Sequence, residues 1–264
     1  MKLIHFGLAL GVMLLAGHAT YAQEYKIPVE NAKDGQLILE DFVGDLPIEG
    51  YDGTEIVITA DHFEKTPDQA KGLKPVYSSG TDNTGIGLSV NKDGGRITVQ
   101  CIVPFTKDVT YHIKMPKSLS LKFSRGCERS STITVSNLSG EVDIKNCQDI
   151  ELKNVTGPLV LNTISGNIKV VFTEVSKEKP ISIASISGDV DVTLPAKTPA
   201  ELEMSTISGN MYTDFDLSSD EDKDNIRRVG GNKIHSKLNG GGCGIEGHQH
   251  QRAYLPAEKL NPTI

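Results

Sequence analysis

Leu138-Ser139-Gly140-Glu141-Val142-Asp143-Ile144, Val155-Thr156-Gly157-Pro158-Leu159-Val160-Leu161 and Ile164-Ser165-Gly166-Asn167-Ile168-Lys169-Val170 repeat one pattern: apolar, Ser or Thr, Gly, any residue, apolar, any residue, apolar. Two further copies are Ile186-Ser187-Gly188-Asp189-Val190-Asp191-Val192 and Ile207-Ser208-Gly209-Asn210-Met211-Tyr212-Thr213, and a weaker one, Phe42-Val43-Gly44-Asp45-Leu46-Pro47-Ile48, lies upstream. Apolar residues alternate with period two in each copy, which predicts a half-buried strand and not a helix. Val142 and Ile144 are expected on one face, Glu141 and Asp143 on the other. The glycine opens each strand where a sharp corner needs positive φ or close backbone packing, and the hydroxyl before it can bond turn backbone. A strand this short cannot bury its apolar face alone. Parallel stacking at about 4.8 Å per layer solves this, so the fold class expected is all-β, a parallel β-solenoid with irregular loop insertions.

Gly140, Gly157 and Gly166 are 17 and then 9 residues apart, consistent with one full coil and one half coil, and Cys147 to Leu152 fills the missing half coil. Later spacings of 22 and 21 residues, to Gly188 and Gly209, are read as polar or proline-bearing excursions from Glu174 to Pro180 and from Pro195 to Pro199. Hairpin dipeptides are sparse, which disfavours an antiparallel sandwich. Before the repeats, runs such as Gln36 to Leu39, Glu55 to Thr59 and Arg96 to Gln100 are also strand-like, with the polar loop from His62 to Asn91 expected to be partly mobile.

At the N-terminus, Lys2 precedes an apolar run that ends in Thr20 and Ala22, the pattern of a secretory signal cut after Ala22. The apolar stretch from Leu8 to Ala16 is too short to span a bilayer. With no cysteine before Cys101, a lipid anchor at the cleavage point is not expected. The expected organisation is a signal peptide at 1–22, an N-terminal β region at 23–118, solenoid repeats at 119–215, an acidic and Gly-rich loop with residual strand at 216–242, and an atypical tail at 243–264. Net charge is -7 with no basic cluster, which argues against nucleic acid. The absence of Trp and an aromatic content of 5% remove the stacking platforms common on sugar-binding surfaces. Four cysteines allow three pairings. Either Cys101, Cys127 and Cys147 are small buried hydrophobes, or Cys127 and Cys147 bridge neighbouring coils.

The repeat copies, the stretch Gly50-Tyr51-Asp52-Gly53-Thr54-Glu55-Ile56, the Thr84-Gly85-Ile86-Gly87-Leu88 turn and the spacer from Leu194 to Glu203 together resemble the DUF4097-type "putative adhesin" family of β-strand-repeat proteins, from about Lys26 to Gly242. The resemblance implies an exported repeat protein of Bacteroidetes type with no catalytic residues to carry over. Proteins of this type close with another coil after a turn like Asn239-Gly240-Gly241-Gly242, whereas Cys243 to Ile264 is polar and without alternation. This tail is expected to be disordered or frameshifted. A one-nucleotide shift from Gly244 to Glu258 permits Val-Leu-Lys-Val-Ile-Asn-Ile-Asn-Gly-His-Ile-Tyr-Leu-Arg-Lys, which restores alternation and the motif.

Candidate chemistry is thin. Cys243, His248 and His250 offer metal-type ligands, and Asp214, Asp216, Asp220, Glu221, Asp222 and Asp224 offer oxygens for calcium, but the first set lies in a glycine-rich tail and the second lacks any calcium-loop pattern. Asp189 with Asp191 and Glu141 with Asp143 are expected on the solvent side, where neither pair gains the apolar pocket that general acid work requires. Ser139, Ser165, Ser187 and Ser208 are read as turn-formers, not nucleophiles. No catalytic, metal or cofactor-binding residue and no cofactor is therefore assigned. The reading is a non-enzymatic adhesin-like structural or interaction protein, exported to the periplasm, outer surface or extracellular space. An unidentified envelope or surface protein or glycan would meet an outward ladder of Asp143, Val160, Lys169, Asp191 and Tyr212. The alternative is a carbohydrate-binding or polysaccharide-processing β-helix protein.

Overall fold

The computed structural model describes residues 23–64, 67–104, 106–107, 109–127, 131–176, 180–219, 232–249, 252–255 and 257–258. The strands are β1 (Gln23–Pro28), β2 (Gln36–Glu40), β3 (Leu46–Tyr51), β4 (Glu55–Asp61), β5 (Val76–Tyr77), β6 (Gly80–Thr81), β7 (Leu88–Asp93) and β8 (Arg96–Cys101). Then come β9 (Thr110–Pro116), β10 (Ser120–Ser124), β11 (Ile133–Ser136), β12 (Val142–Asn146), β13 (Ile150–Val155), β14 (Leu159–Thr163), β15 (Ile168–Phe172) and β16 (Ile181–Ser185). The last are β17 (Asp189–Pro195), β18 (Ala200–Thr206), β19 (Asn210–Thr213), β20 (Ser218–Ser219), β21 (Asn232–Leu238), β22 (Cys243–Gln249), β23 (Arg252–Leu255) and β24 (Ala257–Glu258). A 3-10 turn spans Asp68–Ala70.

Two long sheets share one core. The first runs β1-β4-β9-β3-β11-β13-β15-β17-β23-β19, with β24 joined to β17, and the second β20-β21-β18-β22-β16-β14-β12-β10-β2-β8-β7. From β9 to β19 and from β8 to β18 every pairing is parallel, as a solenoid requires. Period-two alternation decides which side chains enter: Val142 and Leu159 from the second sheet face Ile168 and Val190 from the first, all at most 5% exposed, with Met211 partly buried against them. One coil advances 17 residues from Val142 to Leu159, 18 from Ile150 to Ile168, and 22 from Ile168 to Val190, where the excursion beginning near Glu174 adds length.

The corner glycines answer to backbone approach. A Cβ on Gly157 would lie 2.1 Å from the Gly140 carbonyl oxygen, and one on Gly188 would lie 2.1 Å from that of Gly166. Stacked coils meet backbone to backbone there, so no larger residue fits.

Coil order in space departs from coil order in sequence at both ends. Strands β2 and β3 lie inside β8 and β9, and β22 and β23 lie between the β16/β17 coil and the β18/β19 coil. The tail expected to lack strand structure is thus an inner layer over Cys243–Gln249, parallel to β16 on one side and β18 on the other. Its inward positions Cys243 and Ile245 are buried, and two main-chain ladders outweigh its weak alternation. Antiparallel strands close three sheet ends: β7 on β8, β4 with β1 on β9, and β21 with β20 on β18.

The loop from His62 to Asn91, expected to be partly mobile, is anchored within its second half. Asp82, 2% exposed, accepts hydrogen bonds from the backbone N–H groups of Thr84, Gly85 and Gly87, each at 2.8 Å, and from Thr84 Oγ1 at 2.9 Å. The carboxylate satisfies donors that a buried turn could not leave unpaired. This explains the Thr84-Gly85-Ile86-Gly87 turn.

Candidate functional site

Where the second sheet turns into the first, each coil builds its corner from the same layers of side chains. Asn146, Thr163 and Ser185 form a buried polar column, and Thr206 repeats the position two layers further, beyond Gln249 of β22. Asn146 and Thr163 are paired in register, as are Thr163 and Ser185. Thr163 Oγ1 donates to the Gln148 carbonyl at 2.9 Å and Ser185 Oγ to the Gly166 carbonyl at 3.2 Å, each tying its coil to the one below. The motif serines act alike where their bonds are resolved: Ser139 Oγ donates to the Lys117 carbonyl at 3.0 Å and Ser165 Oγ to the Cys147 carbonyl at 2.8 Å.

The residue between these hydroxyls is the surprise. Period-two reading does not distinguish the first apolar position of the motif in one corner from the other. At the opposite corner Leu138 and Val155 are fully buried, but Ile164, Ile186 and Ile207 are 48%, 56% and 60% exposed. Ile164 and Ile186 belong to adjacent coils, the Ser187 N–H donating to the Ile164 carbonyl at 2.8 Å, and Ile207 lies on the same edge two layers further, beyond the β22/β23 coil. In the coil below Ile164 the matching place holds Cys147, bonded to Cys127. The disulfide is thus the bridge between neighbouring coils, and the reading of Cys127 and Cys147 as free hydrophobes is corrected. Cys101 and Cys243 are buried and outside any disulfide, and burial pushes the Cys101 thiol above its ordinary range, away from nucleophilic character.

Beside this ridge, on the outer face of the first sheet, Glu151, Lys169 and Asp191 stand in one row across β13, β15 and β17. Along the adjoining corner, Asp149 Oδ1 accepts the Asn167 N–H at 2.7 Å and Asn167 Oδ1 accepts the Asp189 N–H at 2.8 Å. Together these residues line an open trough of about 420 Å³. Partial burial raises the Asp191 carboxyl above its ordinary range against the opposing pull of Lys169, and Asp191 Oδ1 is buried without a hydrogen-bond partner among the described residues. The carboxylates expected on the solvent side do face outward, yet Asp191 and Asp143 are half-buried, and Asp143 lies 3.7 Å from Lys122. The outward ladder expected from five residues divides in two: Asp143 and Val160 belong to the second sheet, Lys169, Asp191 and Tyr212 to the first. Side-chain periodicity gives the face of a strand but not the sheet it joins.

Other candidates stay apart. Cys243 points into the core and His248 outward from the same strand, so the metal-type set is not brought together over the described residues, and His250 lies outside them. Of the acidic run, Asp214 and Asp216 are exposed and positions 220–224 lie outside the described residues. A histidine partner not foreseen from the sequence occurs at Ser205, whose Oγ lies 2.6 Å from His248 Nδ1. Parallel pairing of β18 with β22 puts these residues side by side in an exposed row, and a separation of 43 residues gave no signal. A wider cleft of about 730 Å³ lies where Asp41, Ser79, Cys101, Arg125 and Cys127 meet. Ser79 Oγ donates a hydrogen bond to the Ile102 carbonyl at 3.0 Å, and Asp41 is the one carboxylate among the described residues that line the cleft.

A repeat that stacks glycine-led strands in two parallel sheets, with hydroxyls binding coil to coil, has a counterpart among known families. Residues 129–237 match the Toastrack DUF4097 family. The Toastrack match covers the five main repeat copies between Leu138 and Thr213, and not the stretches at 50–56 and 84–88 that also carried the resemblance. Among solved structures the chain is similar to a "putative cell adhesion protein" from Clostridium sporogenes, at 11% identity over 90% of this chain and 100% of that one, TM-score 0.43. It is also similar to a "putative adhesin" from Bacteroides fragilis, at 12% identity over 91% of this chain and 98% of that one, TM-score 0.38. A third is a "putative lipid binding protein" from Parabacteroides distasonis, at 12% identity over 90% and 97%, TM-score 0.32. No curated protein matches the chain. Among the described residues no helix is long and apolar enough to cross a membrane.

Proposed function

We propose that this Toastrack protein is an exported, non-enzymatic, adhesin-like binding protein of the cell envelope or surface. The observation that carries this reading is the division of labour among the repeat's side chains. Ser139, Ser165, Thr163 and Ser185 spend their hydroxyls on neighbouring backbone, while apolar Ile164, Ile186 and Ile207 face solvent along one edge of the stack. A rigid stack with apolar side chains exposed along one edge suits display to a partner, since exposed apolar surface marks interaction sites. The leader ending at Ala22 supports export, and the -7 charge supports a partner other than nucleic acid.

Cell fractionation with surface proteolysis, followed by capture from the envelope fraction with the tagged full chain, tests the reading. Recovery in the envelope or outside the cell with a reproducible partner is expected. Confinement to the cytoplasm would overturn it.

A polysaccharide-processing role has one specific observation in its favour, the partly desolvated Asp191 beside Asp189 in the trough. Turnover of a polysaccharide that disappears in Asp191→Asn would establish that role in place of the first.

A further inference from the structure

We propose that the ridge of Ile164, Ile186 and Ile207, with the acidic trough of Asp149, Glu151, Asp189 and Asp191 beside it, docks a cationic, amphipathic segment of another polypeptide. This deepens the binding-protein reading and rests on it. The fold itself does not ask for an exposed isoleucine at this corner. The position is buried at Leu138 and Val155, where the core uses it, and the three isoleucines lie 48% to 60% exposed, where the core does not. Ile164 and Ile186 in adjacent coils, with Ile207 two layers further along the same edge, offer area that a partner can cover.

Charge then selects the partner. Among the described side chains that line it, the trough gathers four carboxylates around Lys169 as its one cation, and Asp191 Oδ1 has no hydrogen-bond donor among the described residues. Ridge and trough are separated by the Ser165-Gly166 corner and its counterparts, about three residues or ~10 Å along the chain. A segment with apolar side chains along one edge and Lys or Arg along the other matches both features at once. An anionic lipid surface or polyanion would meet like charge. A second copy would set trough against trough, and three isoleucines fall well short of the ~800 Å² per partner of a stable dimer.

The test uses fluorescence anisotropy with the full chain and a labelled ten-residue peptide of alternating Lys and Val, against its Glu and Val counterpart. The Lys peptide is expected to bind and the Glu peptide not, with binding weakened as salt rises past the range where exposed charges are screened. Ile164→Ser with Ile186→Ser and Ile207→Ser, and separately Asp189→Asn with Asp191→Asn, are each expected to weaken binding about tenfold or more. The ridge variant changes exposed side chains alone and should fold as the parent does, checked by its unfolding midpoint. Equal binding of both peptides, or unchanged binding by either variant, overturns the proposal. Envelope capture separates the two levels. Unchanged partners with the ridge variant overturn this surface and leave the binding role standing, whereas peptide binding without any captured partner overturns the role and not the surface.

Discussion

At the corners of Gly140, Gly157, Gly166 and Gly188 the glycine carries the stack because of what lies directly beneath it. A Cβ on Gly166 would fall 2.0 Å from the Gln148 carbonyl carbon, so Gly166→Ala must push two coils apart. It is expected to cost about 2 kcal/mol or more, read as a lowered denaturant midpoint. Gly247 presents the opposite case. It stands in the inward column between Ile183 and Met204, where the other coils supply Val99, Leu39, Phe123, Ile144 and Leu161. A Cβ there would meet Met204 Cγ at an ordinary 3.9 Å, and a void of about 20 Å³ adjoins it. Gly247→Val is therefore expected to stabilise by about 1 kcal/mol, by filling the void and restricting the unfolded chain. Asp191 adds a pH dependence. Its folded carboxyl is raised by burial, so its ionisation opposes folding, and the penalty grows as pH rises from the ordinary carboxylate range through the folded value. Asp191→Asn should raise the melting temperature at neutral pH, and the gain should vanish in acid below the ordinary carboxylate range. A melting temperature unchanged at neutral pH would show that solvent already screens the group.

Among the elements, the covalent tie and the last coil matter most. Cys127 and Cys147 close a 20-residue separation between the β10 and β12 layers, and a loop of that length confines the unfolded chain by about 3 kcal/mol. Cys127→Ala with Cys147→Ala is expected to lose about that much, and the parent should lose as much in reductant. The sequence left this pair undecided because spacing does not tell a bridge from two buried thiols; parallel register, which sets one coil upon the next, decides it. Strand β22 shows the converse. Its composition argued against a strand, yet it holds two parallel ladders of seven pairs with β18 and five with β16. The frameshift proposed for this tail would place Val at 247, the position where the column lacks a side chain. The coding sequence tests it directly: codons matching the shifted peptide are expected, and a stop codon in that frame ends the idea.

For the whole molecule, the order of coils governs how it fails. Because β22 and β23 lie between the β16/β17 and β18/β19 coils, a chain ending at Gly242 loses an inner layer and not a cap. Truncation there is expected to leave β18, β19 and β21 open to protease while the layers up to β17 remain resistant, as fragment mapping would reveal. Loss of protection throughout would mean that the stack folds as one unit. Solenoid stability accumulates between neighbouring layers, which predicts the partial outcome.

What the amino-acid sequence determined alone was the local rule: glycine-led strands of period two, a coil of 17 residues, which positions point inward, and hydroxyls given over to turns. Those follow from side-chain alternation and corner sterics, which act within a few residues and repeat. Only the tertiary structure decided which sheet each strand joins, that the first and last coils lie inside the ends of the stack, that Cys127 meets Cys147, and that one corner exposes its isoleucines beside an acidic trough. These depend on contacts between residues far apart in the chain, where alternation is the same for every partner and the pairing is settled by how whole layers fit.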